Sequence, residues 1–281
     1  MIRNTAADKA FSVLFKVLVL SFLAVEVYPI VWMLLSSFKT MTEFSTRPSY
    51  ALPEGFYWKN YVDAWTTGRM SIFFKNSIIA TSVSLVGIVF FSSCVSFALT
   101  KMRWRLRKAT TVLFMSGIMV PVTIVLLPLF MIYRQLGLLN TYWALIVTYT
   151  AFGLSLSTYL ITGYLTYLPD ELMEAAVIDG CSIYQVFARI VVPLAMNAIV
   201  TVLVIQFFFR WNDMIFSMTF ISKTALKTIQ TGLMYFSDEY GSRNWGAIFA
   251  AITIGVTPTL GLYAILNKLV IDGMTAGAVK G

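Results

Sequence analysis

Apolar residues run along this chain in long blocks, without the strict alternation of a half-buried strand or the single apolar stripe of a surface helix. A helix needs about 20 largely apolar residues to cross the hydrocarbon core of a bilayer. Four blocks meet that length cleanly: Ser77–Leu99, Ala109–Tyr133, Thr141–Leu165 and Trp245–Asn267. Two more are compromised. Phe11–Phe38 is long enough but carries Lys16, Glu26 and Pro29, while Leu194–Phe209 is uncharged but short and runs through Arg210, Trp211, Asn212 and Asp213 into Met214–Ile221. Counting both, the pattern predicts an all-α membrane protein with six transmembrane helices. Arg3 and Lys9 precede the first block as they would a secretory signal, but Glu26 and Pro29 interrupt it and no convincing small-x-small cleavage site follows. An uncleaved helix is the expectation there.

Composition supports lipid as the solvent. The chain is 58% apolar and 12% charged, against roughly half and a quarter in a soluble globule. The net charge of +8 does not point to nucleic acid, because the basic residues punctuate apolar runs and form no stripe on a polar domain. The absence of histidine removes the commonest general base and a frequent metal ligand. Cys94 and Cys181 stand far apart, in a span and in a loop, and read as packing residues. No catalytic group and no metal site is predicted on this chain.

The basic residues do fix an orientation. Lys101, Arg103, Arg105, Arg107 and Lys108 crowd one short connection, which marks it as cytosolic. Alternation then places both termini and the loop 166–193 in the cytosol, with loops 39–75, 134–140 and 222–244 outside. Loop 166–193 is acidic, with Asp170, Glu171, Glu174 and Asp179 against Arg189 alone, so a basic partner surface would suit it. No linker divides the chain, and residues 1–281 read as a single transmembrane domain. Within it lie a first helix and ordered excursion (1–70), a membrane core (71–268), the cytosolic loop (166–193) and a cytosolic tail (269–281).

That loop predicts two short helices. Asp170 is the expected N-cap of the first, Glu171 suits its positive start, and Gly180 suits its stop. Ser182 and Gln185 form a capping box for the second, whose expected apolar face is Ile183, Val186, Phe187 and Ile190, with Pro193 ending it and opening the fifth span. The result would be a rigid knob, with Ala175 and Ala176 permitting close approach and Glu174 offering a carboxylate. On helix pattern alone, an ordinary re-entry loop remains equally open.

Glu174-Ala175-Ala176, then Gly180, then Ile190-Val191-Val192-Pro193 resemble the loop signature of ABC-importer permeases: E-A-A, three residues, G, nine residues, I-x-L-P. Val192 in place of leucine is the one departure. The resemblance implies a type I ABC-importer permease fold in which this loop is a coupling helix docked on an ATP-binding subunit. Glu174, Ala175, Ala176, Asp179 and Gly180 would carry the coupling, with Pro193 as the lower hinge. Three further stretches resemble the carbohydrate branch, in particular the second permease of maltose-type importers. They are Asn140–Ile146, Trp211-Asn212-Asp213, and the terminal Gly273–Gly281, which has Met274 for leucine.

By that resemblance the tail residues Thr275, Ala276, Gly277 and Lys280 contact the ATPase, although a frayed glycine-rich end is the plain alternative. Gln230, Gly232, Tyr235, Tyr240 and Gly241 belong to an outer loop that would enter a binding protein. Trp211, Asn212 and Asp213 stand either on the solute path or in a structural role, with Arg210 and Asp213 expected to pair on one helix face. The implied partners are a second homologous permease, two ATP-binding subunits, an extracytoplasmic sugar-binding protein and the lipid bilayer, with no nucleic acid. The implied location is the cytoplasmic (inner) membrane of a bacterium or archaeon. The chain lacks a G-x-x-x-x-G-K-[ST] phosphate loop, so ATP and Mg would sit on the partner ATPase and no cofactor on this chain. The rival readings are an ion-coupled secondary transporter, against which few intramembrane carboxylates are counted, and a passive membrane scaffold.

Overall fold

The computed structural model describes the backbone of residues 6–240 and 244–278 and the side chains of 11–234, 236 and 244–265. The described residues are helical with no strand. Long helices occupy the apolar blocks: α1 (Ala6–Ser36), α4 (Met70–Lys101), α7 (Tyr142–Thr166) and α14 (Trp245–Ala278). Two short helices, α2 (Met41–Thr46) and α3 (Lys59–Trp65), fill the excursion after α1. The remaining elements are α5 (Arg107–Ile118), α6 (Val122–Gln135), α8 (Glu171–Ile178), α9 (Ile183–Val186), α10 (Val192–Leu194), α11 (Met196–Trp211), α12 (Ile215–Phe220) and α13 (Ile229–Tyr240). A π-helical stretch, Phe187–Val191, joins α9 to α10.

Two predicted spans are broken. Ala109–Tyr133 is not one helix: α5 and α6 meet at 102°. The cause is Pro121, which sits in extended conformation before α6 and disfavours helical geometry at Val120. The second bend, of 72°, separates Ile183–Leu194 from Met196–Trp211. Pro193 was expected at this hinge, but it lies inside α10 and the chain turns two residues later, at Ala195. Pro193 has no N–H for the Arg189 carbonyl, and its ring would crowd that carbonyl in an α-helix. The π stretch relieves this, with the Val192 N–H bonding five residues back to Phe187. Among the described residues, four helices are long and apolar enough to cross a membrane, or up to six spans if each bent pair counts as one.

The chain groups into two compact units, residues 1–70 with 233–254 and residues 71–232 with 255–281. In the first, Phe38 packs edge-on against Phe56 and Trp58. Buried Asn60 ties the end of α1 to α3 through the carbonyls of Ser37 and Lys39 at 2.8 and 2.9 Å. Thr40 and Glu43 form a capping box on α2. The apolar window of α1 has no buried residue; a helix apolar on all sides is built for lipid or for another chain.

In the second unit α7 is the centre, with half of its apolar window buried. Gly87 and Gly153 let α4 and α7 close on Thr150 and Ile88. Ser96 Oγ donates to the Thr158 carbonyl at 3.1 Å, and Gln206 Nε2 on α11 donates to Gly153 O and Ser157 Oγ at 3.2 and 3.0 Å. Small residues plus interhelical side-chain hydrogen bonds are how helices associate where lipid tails are as apolar as leucine. The two ends of α4 anchor different loops. Near its start, Asn76 donates to Ala225 O and Lys227 O (both 2.9 Å) and accepts from Tyr142 Oη (2.6 Å). At its far end, Lys101 reaches Leu168 and Asp170.

Candidate coupling site and membrane polar cluster

The knob after α7 closes as the glycine rule requires. Gly180 has φ +82°, the left-handed region that costs a β-carbon residue. Its N–H bonds to Val177 O at 3.0 Å, and the Cys181 N–H bonds to Ala176 O at 2.9 Å. Together these are the two bonds of a Schellman closure. Ser182 and Gln185 make the capping box of α9 reciprocally. Asp170 departs from expectation. It precedes α8 without a side-chain capping bond, and its Oδ1 accepts from Lys101 Nζ at 2.6 Å, while Nζ also donates to Leu168 O at 2.6 Å. The hydrogen bond and charge of Lys101 hold the Asp170 carboxyl below the usual aspartate range.

The knob has an inner and an outer face. Met173, Ala176, Val186 and Val191 are buried in one cluster with Phe97 of α4 and with Ile161 and Leu165 of α7; the Phe97 and Phe187 rings lie 5.3 Å apart. Ala176 therefore anchors the knob to its own bundle and does not, as expected, face a partner. The predicted apolar face of the second helix holds at Val186, Phe187 and Ile190, which pack on that cluster. The π stretch carries the seam from Val186 to Val191, and Ile183 is exposed. Glu174, Ala175, Asp179 and Gly180 stay on the exposed side. Beside them stand Val177, Ile178 and Tyr184, with Ile178 and Tyr184 over four-fifths exposed. These apolar residues were not among the sequence candidates. Ile178 lies on the helix face opposite Met173 and Ala176, but burial, not the letters, shows which of the two faces is outer.

The other candidates fall in different places. Trp211 is buried, stacks on Phe207 at 5.5 Å and donates Nε1–H to Gly255 O at 3.0 Å, a packing arrangement. Asn212 is exposed and accepts from Gln230 Nε2 at 3.3 Å. Arg210 and Asp213 do not pair on one helix face, because α11 ends at Trp211 between them. Asp213 accepts instead from Tyr149 Oη (2.8 Å) and from the N–H groups of Phe216 (3.3 Å) and Ser217 (3.1 Å), capping α12. Arg210 Nη2 donates to Gln206 Oε1 at 2.9 Å, and its guanidinium lies 5.5 Å from the Tyr149 ring centre.

Segment 222–244, expected as an outer loop, contains the helix α13. Its base is fixed: the Ile229 N–H bonds Ser77 Oγ at 2.8 Å, and Gly232 is buried against the Phe73 ring, where any Cβ would clash. Gly232 therefore has a packing reason. The side chains of Tyr235 and Tyr240, and Gly241 itself, lie outside the described residues. The terminal candidates Thr275, Ala276 and Gly277 lie in the last turn of α14. Their side chains, and all of Lys280, also lie outside the described residues.

Comparison with known proteins assigns the class. Residues 92–275 match the model of the family described as binding-protein-dependent transport system inner membrane component. The chain belongs to that family. It is a permease subunit of a binding-protein-dependent ABC importer, a multi-pass membrane transport subunit and not an enzyme. It is 35% identical over 254 residues to the probable ABC transporter permease YurM of Bacillus subtilis, covering 90% of this chain and 84% of that one. It is 30% identical to the sulfoquinovosyl glycerol transport permease SmoH of Agrobacterium fabrum, covering 90% and 89%. It is 29% identical to the trehalose/maltose transport permease MalG of Thermococcus litoralis, covering 90% and 91%. A chain from the crystal structure of a bacterial ABC transporter that imports the acidic polysaccharide alginate superposes with a TM-score of 0.85 over 95% of this chain and 99% of that one. Its 20% identity speaks for the fold alone.

Proposed function

We propose that this chain forms one half of the translocation path for a sugar or oligosaccharide and that its α8–α9 knob is the joint through which a separate ATPase moves it. The observation that carries the reading is the two-faced knob. Its inner face is packed on α4 and α7, and its outer face presents apolar side chains beside carboxylates to water. Exposed Ile178 and Tyr184 would fill an apolar cleft, and Glu174 and Asp179 would meet basic residues at the rim, the usual division between core and edge of a protein interface. Motion of the docked partner then passes to the bundle as a rigid-body displacement.

On this reading Glu174, Ala175, Asp179 and Gly180 contact or shape the ATPase joint, Ala176 and Pro193 set the geometry behind it, and both termini face the cytosol. ATP and Mg bind two copies of the partner subunit. A second homologous permease completes the path, and an extracytoplasmic sugar-binding protein delivers the solute to the face that carries α13. Gln230 lies on the segment it would meet, with Asn212 bonded to it. The sugar class rests on the relatives named for sulfoquinovosyl glycerol and for trehalose and maltose. In the assembled transporter, Gly180→Pro should abolish ATP-dependent sugar uptake, because proline can supply neither φ +82° nor the N–H to Val177. Full uptake by a correctly assembled Gly180→Pro transporter would remove the coupling role.

A further inference from the structure

The break between α5 and α6 opens one side of the second unit into a cavity of about 310 Å³. Residues from Gly117 to Val122 form one wall, α7 a second, and the end of α11 with the start of α12 a third. That volume is at the small end of ligand sites, suited to a short sugar and too small for a long chain. Its walls combine two chemistries. Phe152, Phe209 and Phe216 supply aromatic surface, while Ser155, Gln206, Arg210 and Asp213 supply polar groups.

The polar groups are unevenly satisfied. Asp213 accepts three hydrogen bonds from protein donors. Arg210 is nine-tenths buried, yet of the five guanidinium N–H groups it spends a bond only on Gln206, and its Nε has no partner among the described residues. A buried, underused donor beside a filled carboxylate offers hydrogen bonds without a net charge. An anion would gain little there, because Asp213 stands beside it. A neutral ligand rich in acceptor oxygens, with an apolar face to lay on phenylalanine, fits both halves of the wall.

We infer that this chain carries its own sugar subsite in the α5/α6 cavity, with Arg210 donating to ring or hydroxyl oxygens and the phenylalanines holding the ring face. The inference deepens the sugar-import reading above and rests on it. The chain thereby helps select the solute and is not merely a wall for a site held elsewhere.

The test uses the assembled transporter with Cys94→Ala and Cys181→Ala, carrying Ser155→Cys, or Leu156→Cys on the same wall should the first fail to assemble. Uptake of maltose, trehalose and diacetylchitobiose is measured first, and thiol alkylation is then timed with and without each transported sugar. A transported sugar at several times its site affinity should slow alkylation about fivefold or more. It should leave Leu136→Cys, exposed in the loop after α6, unchanged, and Arg210→Met should remove the protection. Uptake without protection, or equal protection of both thiols, overturns the subsite while leaving the import reading standing. Uptake of none of these neutral sugars overturns the subsite as stated while leaving import of other sugars standing.

Discussion

Two places where a helix of this chain is interrupted behave in opposite ways. At Gly180 every bond of the turn is made, with the Schellman pair closed, the capping box reciprocal and the inner face packed. At Met119–Pro121 the helices splay by 102° and the gap is left as a cavity. A closed turn resists deformation and can pass a displacement from one body to another. An open break leaves room for something that is not part of the chain. One protein uses the same device, a helix interrupted by a backbone specialist, once for stiffness and once for space.

The largest expected effect is at the knob's tip. Ile178→Asp with Tyr184→Asp exchanges apolar surface for charge where the partner docks. Since burying each large side chain is worth about 1.5–3 kcal/mol, affinity for the ATPase should fall by at least about tenfold, measured by co-purification at graded salt and by ATPase titration. Neither residue packs in the bundle, so helix content and membrane insertion should be unchanged. Next is the clasp. Lys101→Met removes the hydrogen bonds to Leu168 and Asp170 that tie the knob to α4, and should reduce sugar-stimulated ATPase several-fold with docking affinity intact. An equal loss of docking would mean that Lys101 serves the interface itself.

A smaller effect is expected at the open break. Pro121→Ala lifts the restriction on Val120 and lets α5 and α6 straighten, so alkylation of a Ser155→Cys thiol should slow without loss of assembly. The smallest concerns pH. The Asp170 carboxyl is held below its ordinary value by Lys101, so its contribution is complete above the unfolded aspartate range, about pH 4. That contribution is lost only as pH falls through the lowered value. The ratio of coupled ATPase in the native chain to that in Asp170→Asn should therefore be flat across neutral pH. A slope between pH 6 and 8 would mean that another group titrates at the clasp.

The two regions also differed in how much of them the sequence disclosed. The knob was readable because its signals are local: a glycine at a helix end, a Ser–Gln pair three apart, and an E-A-A block at fixed spacing. What stayed hidden was which face looked inward. Ala176 and Ala175 are equivalent as letters, and only packing against Phe97 and Leu165 separates them. Asp170 looked like a cap because nothing in its neighbourhood names Lys101, 69 positions away. The span at Ala109–Tyr133 read as continuous because both its prolines, Pro121 at the break and Pro128 inside α6, sit in an apolar run, and a hydropathy window is blind to backbone geometry. The pairing of Arg210 with Asp213 assumed one helix where α11 ends between them, so Tyr149, on a distant helix, could not be foreseen as the partner of both.

A single thiol settles the mechanical claim most directly. With Cys94 and Cys181 replaced by alanine, Tyr184→Cys is probed with a membrane-impermeant maleimide in intact spheroplasts and in inverted vesicles, before and after the ATPase is stripped away. Labelling only in stripped inverted vesicles, with protection restored by adding the ATPase back, is the predicted result. Labelling from the outer face, or the same rate with and without the ATPase, would contradict it.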